Sequence, residues 1–352
     1  MRKLASIQLI QRLEPIKGAD AIERARVLGW WVVVKKGQFQ VGDAVVYCEI
    51  DSLLPEREEF EFLRSGSFKP AIVEGDSEIR RAGFRIKTAK LRGQVSQGIC
   101  FSLDILPDDV SRVVGTDLTE LLDIEKYEPP IPVGMTGRIK GDFPSFLTKT
   151  DETRVQLLEE ALERHQGATF YVTEKLDGTS FTAFLREGEF GICSRNQWLD
   201  ESDDSNTLVK ISRALQLEEK LKQIQKDFGF QPAIQAEVIG PGVQKNKYGL
   251  TAHELRVFNV FNIDEFQLVD HALLLKILDA VNLDGVPQLD CLVLNHSVDD
   301  LIQLSAGVSQ LNSKVQREGI VIRPMVEQHE PTIGGRLSFK AINPKFLLKY
   351  DE

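Results

Sequence analysis

The sequence predicts a two-part α+β chain: a small β-barrel first, then a domain in which helices are mixed with largely antiparallel sheet. Three observations carry this. Residues 1–125 hold short β-branched runs separated by Gly-containing turns. Glu128-Pro129-Pro130-Ile131-Pro132 then breaks the structure. Beyond it, strand-like and helix-like runs mix without the strict alternation of a doubly wound fold.

Each element follows from its residues. Gly29-Trp30-Trp31-Val32-Val33-Val34 reads as a strand, as do the apolar runs 41–50 and 96–103. Strands this short, over this length, fit a five-stranded oligonucleotide/oligosaccharide-binding (OB) barrel. The acidic, aromatic insert 55–68 should be a loop or short helix on its rim. Arg80-Arg81-Ala82-Gly83-Phe84-Arg85-Ile86-Lys87-Thr88-Ala89-Lys90-Leu91-Arg92 carries six positive charges and no acid. As a strand it would project Arg85 and Lys87 from one face. Such a segment is either the solvated face of an edge strand or an anion-binding surface. Residues 126–149, kept open by Gly134, Gly137 and Gly141, read as a linker. A helix should start near Thr150-Asp151, with Val155, Leu158, Ala161 and Leu162 as its apolar stripe. Further helices are expected over 208–226, 268–281 and 298–315. Strands are expected at 170–172, 181–185, 233–236, 256–261 and 319–322.

Composition narrows the function classes. The chain has 352 residues, enough for two domains with sizeable cores. No apolar run approaches the length of a membrane span, and Met1-Arg2-Lys3-Leu4 lacks the apolar core of a signal peptide. Cys48, Cys100, Cys193 and Cys291 are far apart, which argues against a zinc site or a disulfide framework and suits a reducing, cytoplasmic setting. A net charge of −10 argues mildly against nucleic acid as a partner but does not exclude local basic surface.

The chemistry concentrates around Thr173-Glu174-Lys175-Leu176-Asp177-Gly178-Thr179. A lysine two residues before Asp-Gly can attack a nucleotide phosphate once it is uncharged. Alone the pattern is weak, since chance supplies it in roughly one chain in ten of this length. The alternative is a surface lysine in a β-turn. Further segments follow in order: Ser194-Arg195-Asn196; Glu237 before Gly240-Pro241-Gly242-Val243-Gln244-Lys245; the aromatic strand Arg256-Val257-Phe258-Asn259-Val260-Phe261-Asn262; Glu318-Gly319-Ile320-Val321-Ile322; and Ser338-Phe339-Lys340.

This ordered set resembles the covalent nucleotidyltransferases, namely polynucleotide ligases and mRNA capping enzymes, and covers about 170–345. The stretch after Glu237 looks more like RNA ligases than DNA ligases. Pro15-Ile16-Lys17-Gly18-Ala19-Asp20, Cys48-Glu49-Ile50-Asp51-Ser52 and the Ile86-to-Gly93 run are similar to the barrel of Naegleria-type ATP-dependent RNA ligases, in which the barrel comes first. The resemblance implies an OB barrel over 1–125, a linker over 126–149 and a nucleotidyltransferase domain over 150–352, ATP-grasp-like with antiparallel sheets.

It also implies roles. Lys175 would be the nucleophile that takes AMP from ATP. Lys340 would contact the α-phosphate. Glu237, Glu318 and Asp177 would hold hydrated Mg²⁺ or Mn²⁺, with a turn-forming role also open for Asp177. Glu174 would read the adenine amino group, and Phe261 and Val321 would wall the base. Both walls could instead be core. Phe258, an odd number of residues from Phe261, should face oppositely and belong to the core. Arg195 would touch the sugar or the incoming phosphate. Arg154, in a helical first turn, would meet the γ-phosphate. The family often has a second lysine two residues after the last one, where this chain has Ile342; Lys345 could substitute. Asn262 replaces a common aspartate. The expected partner is RNA, as a nicked duplex or as free ends, met by a monomer without a membrane. The alternatives are DNA ligation, capping with GTP, or a barrel that binds nucleic acid beside a degenerate transferase.

Overall fold

The structure, a computed structural model, describes residues 2–74, 77–128 and 137–350. The break at 129–132 and Gly134 lie outside the described residues. The chain forms two compact units, Met1–Pro129 with Pro344–Glu352, and Pro130–Asn343.

The first unit is built from small antiparallel sheets. One joins Ala5–Leu9, Ala44–Cys48 and Ile99–Phe101; a second joins Arg12–Pro15, Ile22–Val27 and Trp30–Lys35. The double-tryptophan strand alternates as a half-buried strand must: Trp30, Val32 and Val34 are buried, Trp31 and Val33 only partly. Ile7, Trp30, Tyr47 and Phe84 are fully buried. Gly98 is required where it stands, because a Cβ would lie 2.4 Å from the Tyr47 ring. The 55–68 insert is a 3-10 helix, Glu58–Leu63, followed by the helical turn Arg64–Ser67. Phe60 anchors it, fully buried and edge-on to Phe101 at 5.2 Å.

Only the end of the basic segment is a solvated edge: Lys90 and Arg92 are exposed, and Ala89–Leu91 pairs only with Gln94–Ser96. Gly83–Arg85 is an inner strand, between Ser52–Leu54 and Phe68–Lys69. Arg85 is buried, and the Arg80 and Arg85 guanidiniums lie over the Tyr127 ring at 4.8 and 4.3 Å. Arg81 pairs with Asp123 at 2.5 Å and with Glu125 at 3.2 Å. Packing within the unit, rather than water, holds these three guanidiniums.

The second unit holds two larger sheets. The seven-stranded one runs Ile139–Asp142, Gln197–Leu199, Glu189–Cys193, Thr179–Arg186, Pro232–Ile239, Glu254–Asn262, Gln267–Leu268. The five-stranded one runs Thr153–Arg154, Phe339–Ile342, Gly319–Pro324, Thr169–Lys175, Gln288–Val293. Every neighbouring pair in both sheets is antiparallel except Thr153–Arg154 beside Phe339–Ile342. Residues 139–142, expected in the open linker, thus form an edge strand.

Several helices depart from their expected bounds. No helix begins at Asp151. The chain stays extended through Arg154 (φ −75, ψ 136), and the α-helix is Glu159–Arg164. The 208–226 helix is two, Thr207–Ala214 and Leu217–Phe228, because Gln216 turns left-handed at φ 54. The helix at 271 is His271–Ala280. The last long helix stops early, at Ser305. There the Arg317 guanidinium donates to the carbonyls of Leu304, Ser305 and Ala306 and so caps the helix from the side.

Candidate active site on the two sheets of the second unit

Strand periodicity gives the five-stranded sheet two unlike faces. Phe170, Val172, Ile320, Ile322, Phe339 and Ala341 belong to one apolar cluster with Val298 and Leu301 of the helix Val298–Ser305. Their alternating neighbours therefore point the other way. Register puts Thr173 opposite Val321, Val321 opposite Lys340, and Lys340 beside Arg154. Lys175 stands at the end of its strand opposite Gly319. A Cβ at Gly319 would lie 2.3 Å from the Ala341 carbonyl oxygen, so the neighbouring strand could not come this close to any other residue.

The charged face carries an electrostatic conflict. Lys175 Nζ donates to both Glu318 oxygens, at 2.6 and 2.7 Å. Burial alone would lower the Lys175 pKa, but Glu318, Glu237 and Asp177 outweigh it and hold the pKa above the ordinary lysine value. Glu237, on the Pro232–Ile239 strand, is pushed up to about 8 by burial, against the pull of Lys175, with Glu318 and Asp177 adding to the rise. Lys340 is pushed down to about 7 by burial and by the nearby Arg154 and Lys175 charges. Both shifts favour the uncharged form, the kind of perturbation that gathers at functional sites.

Buried polar atoms without a partner occur on strands of both sheets. Glu174 is buried. Its Oε2 accepts from the Gln310 N–H at 2.8 Å, while its Oε1 has no hydrogen bond. The hydroxyls of Thr173 and Thr182 are buried and equally without a partner. Such groups are rare in finished cores and suit a ligand that brings its own donors and acceptors.

The aromatic strand required the structure. Its register to Pro232–Ile239 shifts between Gln235 and Ala236, whose partners are Asn259 and Val257. Phe258 is the extra residue of this bulge, so the odd-number argument about its facing fails. Phe258 is only partly buried and lies 5.8 Å from the Arg323 guanidinium. Phe261 is sealed in a cluster with Leu147, Phe184 and Ile263, and edge-on to Phe266. Phe261 is thus packed as core, the alternative open for it from sequence, while Phe258 stays partly accessible.

The remaining expected residues divide. Arg154 is buried beside Lys340, but on an extended strand rather than in a helical turn. Arg195 is exposed and donates to Asp151 at 2.6 Å. Lys345 is exposed on the helix Pro344–Tyr350, which belongs to the first unit. Asp177 is paired with Lys247, a residue that no motif singled out. For a hard divalent cation the oxygen donors Glu237, Glu318 and Asp177 are the right chemistry. Among the described residues no three such groups already converge as a ready-made metal cage; Glu318 bonds the Lys175 ammonium and Asp177 pairs with Lys247 instead.

Known proteins resemble both parts of the chain. An OB-fold domain model matches residues 4–103, and an RNA ligase model matches residues 168–342. No curated protein matches. Among solved structures, a Naegleria gruberi RNA ligase point mutant with ATP and Mn is 36% identical, with a TM-score of 0.89 over 100% of both chains. A second mutant of that protein, with AMP and Mn, is 36% identical at a TM-score of 0.88 over 99% of both chains. A ligand-free mutant gives 36% identity and a TM-score of 0.88 over 99% of this chain and 98% of that one.

Proposed function

The chain belongs to the RNA ligase family, and from that premise we propose that it uses ATP to seal 3′-hydroxyl and 5′-phosphate RNA ends through AMP carried on Lys175. The observation that carries this reading is the Lys175 ammonium bonded to Glu318, with Glu237 and Asp177 close enough to raise its pKa. Lys175 Nζ attacks the α-phosphorus of ATP, and pyrophosphate leaves in line. The Lys175–AMP bond then yields AMP to the RNA 5′-phosphate. The 3′-hydroxyl attacks that 5′-phosphorus, closing the phosphodiester and releasing AMP. Phosphoryl chemistry of this type depends mainly on positioning and on charge neutralisation.

In this reading Glu174 accepts from the adenine amino group, and Phe258 with Val321 holds the base between an aromatic and an aliphatic wall. Lys340 and Arg154 supply the positive charge for the phosphates. Thr173 and Thr182 offer hydroxyls to the nucleotide. A divalent cation, Mg²⁺ or Mn²⁺, held by Glu237, Glu318 and Asp177, would offset the charge growing on the α-phosphate and lower the Lys175 pKa. We further propose the residue-level division of 1–125 as barrel, 126–149 as connector and 150–352 as transferase, with Ile139–Asp142 pairing into the transferase sheet and Pro344–Tyr350 grouping with the barrel's unit.

Incubation with α-phosphate-labelled ATP and Mn²⁺ tests the first step. The expected result is label covalently attached to the wild-type chain and absent from Lys175→Ala. Equal label in both would sink the reading. Nicked RNA and nicked DNA duplexes then separate RNA sealing from DNA sealing.

A further inference from the structure

One segment near the Lys-x-Asp-Gly turn has a costly conformation that no motif explains. Gln244, Lys245 and Asn246 are consecutive non-glycine residues at φ 42, 59 and 48. Left-handed backbone costs about 1–2 kcal/mol per such residue, and a run of three is rare. Strain of this kind persists only where the surroundings over-determine it. Here they do. The Asn246 side chain donates to the Leu250 carbonyl at 2.8 Å and accepts from its N–H at 3.0 Å. The Asn312 amide donates to the Tyr248 carbonyl at 2.9 Å.

The left-handed turn delivers two side chains to one place. Lys247 forms a buried ion pair with Asp177, their side chains only 5% and 9% exposed. The Tyr248 hydroxyl accepts the Asp177 N–H at 2.8 Å, while its ring packs with Leu176 and Ile239. Gln244 Nε2 donates to the Gly178 carbonyl at 3.4 Å. On the other side, a Cβ on Gly178 would lie 2.8 Å from Glu237 Cγ and 2.4 Å from the Val238 carbonyl oxygen. The Asp177–Gly178 turn is thus gripped from both sides, and Lys175 is two residues away. A buried ion pair is a poor way to gain net stability, because desolvating both charges offsets their attraction. What it does supply is a fixed geometry.

We propose that Lys247, presented by the left-handed turn 244–246, is a positioning residue for the first chemical step: it fixes Asp177, and through the 175–178 segment it fixes the aim of the Lys175 amine. The claim rests on the reading of Lys175 as nucleophile, so its test needs one arm that does not. The variants are Lys247→Met, Lys247→Arg, Asp177→Asn and the Lys247→Met/Asp177→Asn pair. In single-turnover labelling with α-labelled ATP and Mn²⁺, Lys247→Met should slow Lys175–AMP formation by roughly 100-fold, the size of effect that misplacing a reacting group produces. Lys247→Arg should recover part of that loss. Adding Lys247→Met to Asp177→Asn should slow labelling by less than about threefold more, since both act through one contact. Sealing of a chemically pre-adenylylated RNA nick, which needs no lysyl-AMP, should change by less than about threefold.

The independent arm is amide hydrogen exchange. The Asp177 N–H should exchange at least about tenfold faster in Lys247→Met, with the Val172 and Thr173 amides unchanged. Labelling within threefold of wild type, losses that multiply in the double variant, equal loss of pre-adenylylated sealing, or unchanged Asp177 exchange would each overturn the proposal. A wild-type chain that takes no label would remove the ligase reading instead, and the exchange arm alone would then decide whether Lys247 fixes the turn.

Discussion

The two faces of the five-stranded sheet share a backbone and differ in almost everything else. One face is dry and complete: Phe170, Val172, Ile320, Ile322, Phe339 and Ala341 are buried against each other and a helix. The opposite face carries Lys175, Lys340, Arg154 and Thr173, with a lysine pushed down to about 7 and a hydroxyl that has no partner. A sheet buys its rigidity on one side and spends it on the other. Strand alternation makes this possible, because each strand presents its core side chains and its reactive ones at successive residues. Farther along the charged face, Arg323 pairs with Glu152 at 2.8 Å and its charge is met. The incompleteness is therefore local to the row containing Thr173 and Lys340.

The comparison can be broken most directly at Lys175. Lys175→Ala should lower covalent labelling by at least about 1,000-fold, to the assay floor, because no other group replaces the nucleophile. It should also leave the thermal midpoint within a few degrees. A large fall in midpoint would mean that the charged face is structural after all. Phe339→Ala, on the dry face, should do the reverse: about 3–5 kcal/mol of stability lost, by the cost of a large core cavity. Label per folded molecule should be unchanged at low temperature. Urea unfolding and labelling on the same preparation measure both.

A smaller effect tests whether satisfied charges off the active face behave as ordinary structure. Glu330 is buried and accepts from Arg164 and His165 at 2.7 Å and from the Thr332 N–H at 2.9 Å. Burial alone would raise its pKa, but the hydrogen bonds from Arg164, Thr332 and His165 win and bring it to about 2. The folded value lies below the unfolded one, so the stabilisation is fully present above the unfolded pKa and is lost as pH falls toward 2. Wild type should therefore lose more stability than Glu330→Gln between pH 5 and about pH 3. Parallel stability curves would show that the carboxylate contributes nothing. The smallest effect belongs to Thr173→Val, which removes a buried hydroxyl without a partner. The ligand-free chain should be unchanged or up to about 1 kcal/mol more stable, while the ATP concentration for half-maximal labelling rises. A destabilised variant would show that the hydroxyl is satisfied within the protein.

How much of this was legible in the sequence depends on whether neighbours along the chain or across it decided the matter. Motif order singled out Lys175, Glu237, Glu318 and Lys340, which the fold brings within electrostatic reach of Lys175, and the double-tryptophan run gave its strand. Local periodicity went wrong where a distant group intervened. The helix expected to 315 ends at Ser305 because Arg317 folds back onto its last carbonyls. The helix expected at Asp151 is absent because Arg154 pairs in a sheet with a strand near the chain's end.

Residue types, their order and their spacing determined by themselves that the chain has an OB barrel before an RNA-ligase domain and that Lys175 has acidic partners. Those features are encoded in contiguous segments, each of which can be read alone. Tertiary structure alone decided that Phe258 rather than Phe261 faces Arg323, that Lys247 holds Asp177, and that Lys340 lies under strain from Arg154 and Lys175. A bulge, a buried ion pair and a shifted pKa are properties of what lies opposite a residue, and only the folded chain brings those opposites together.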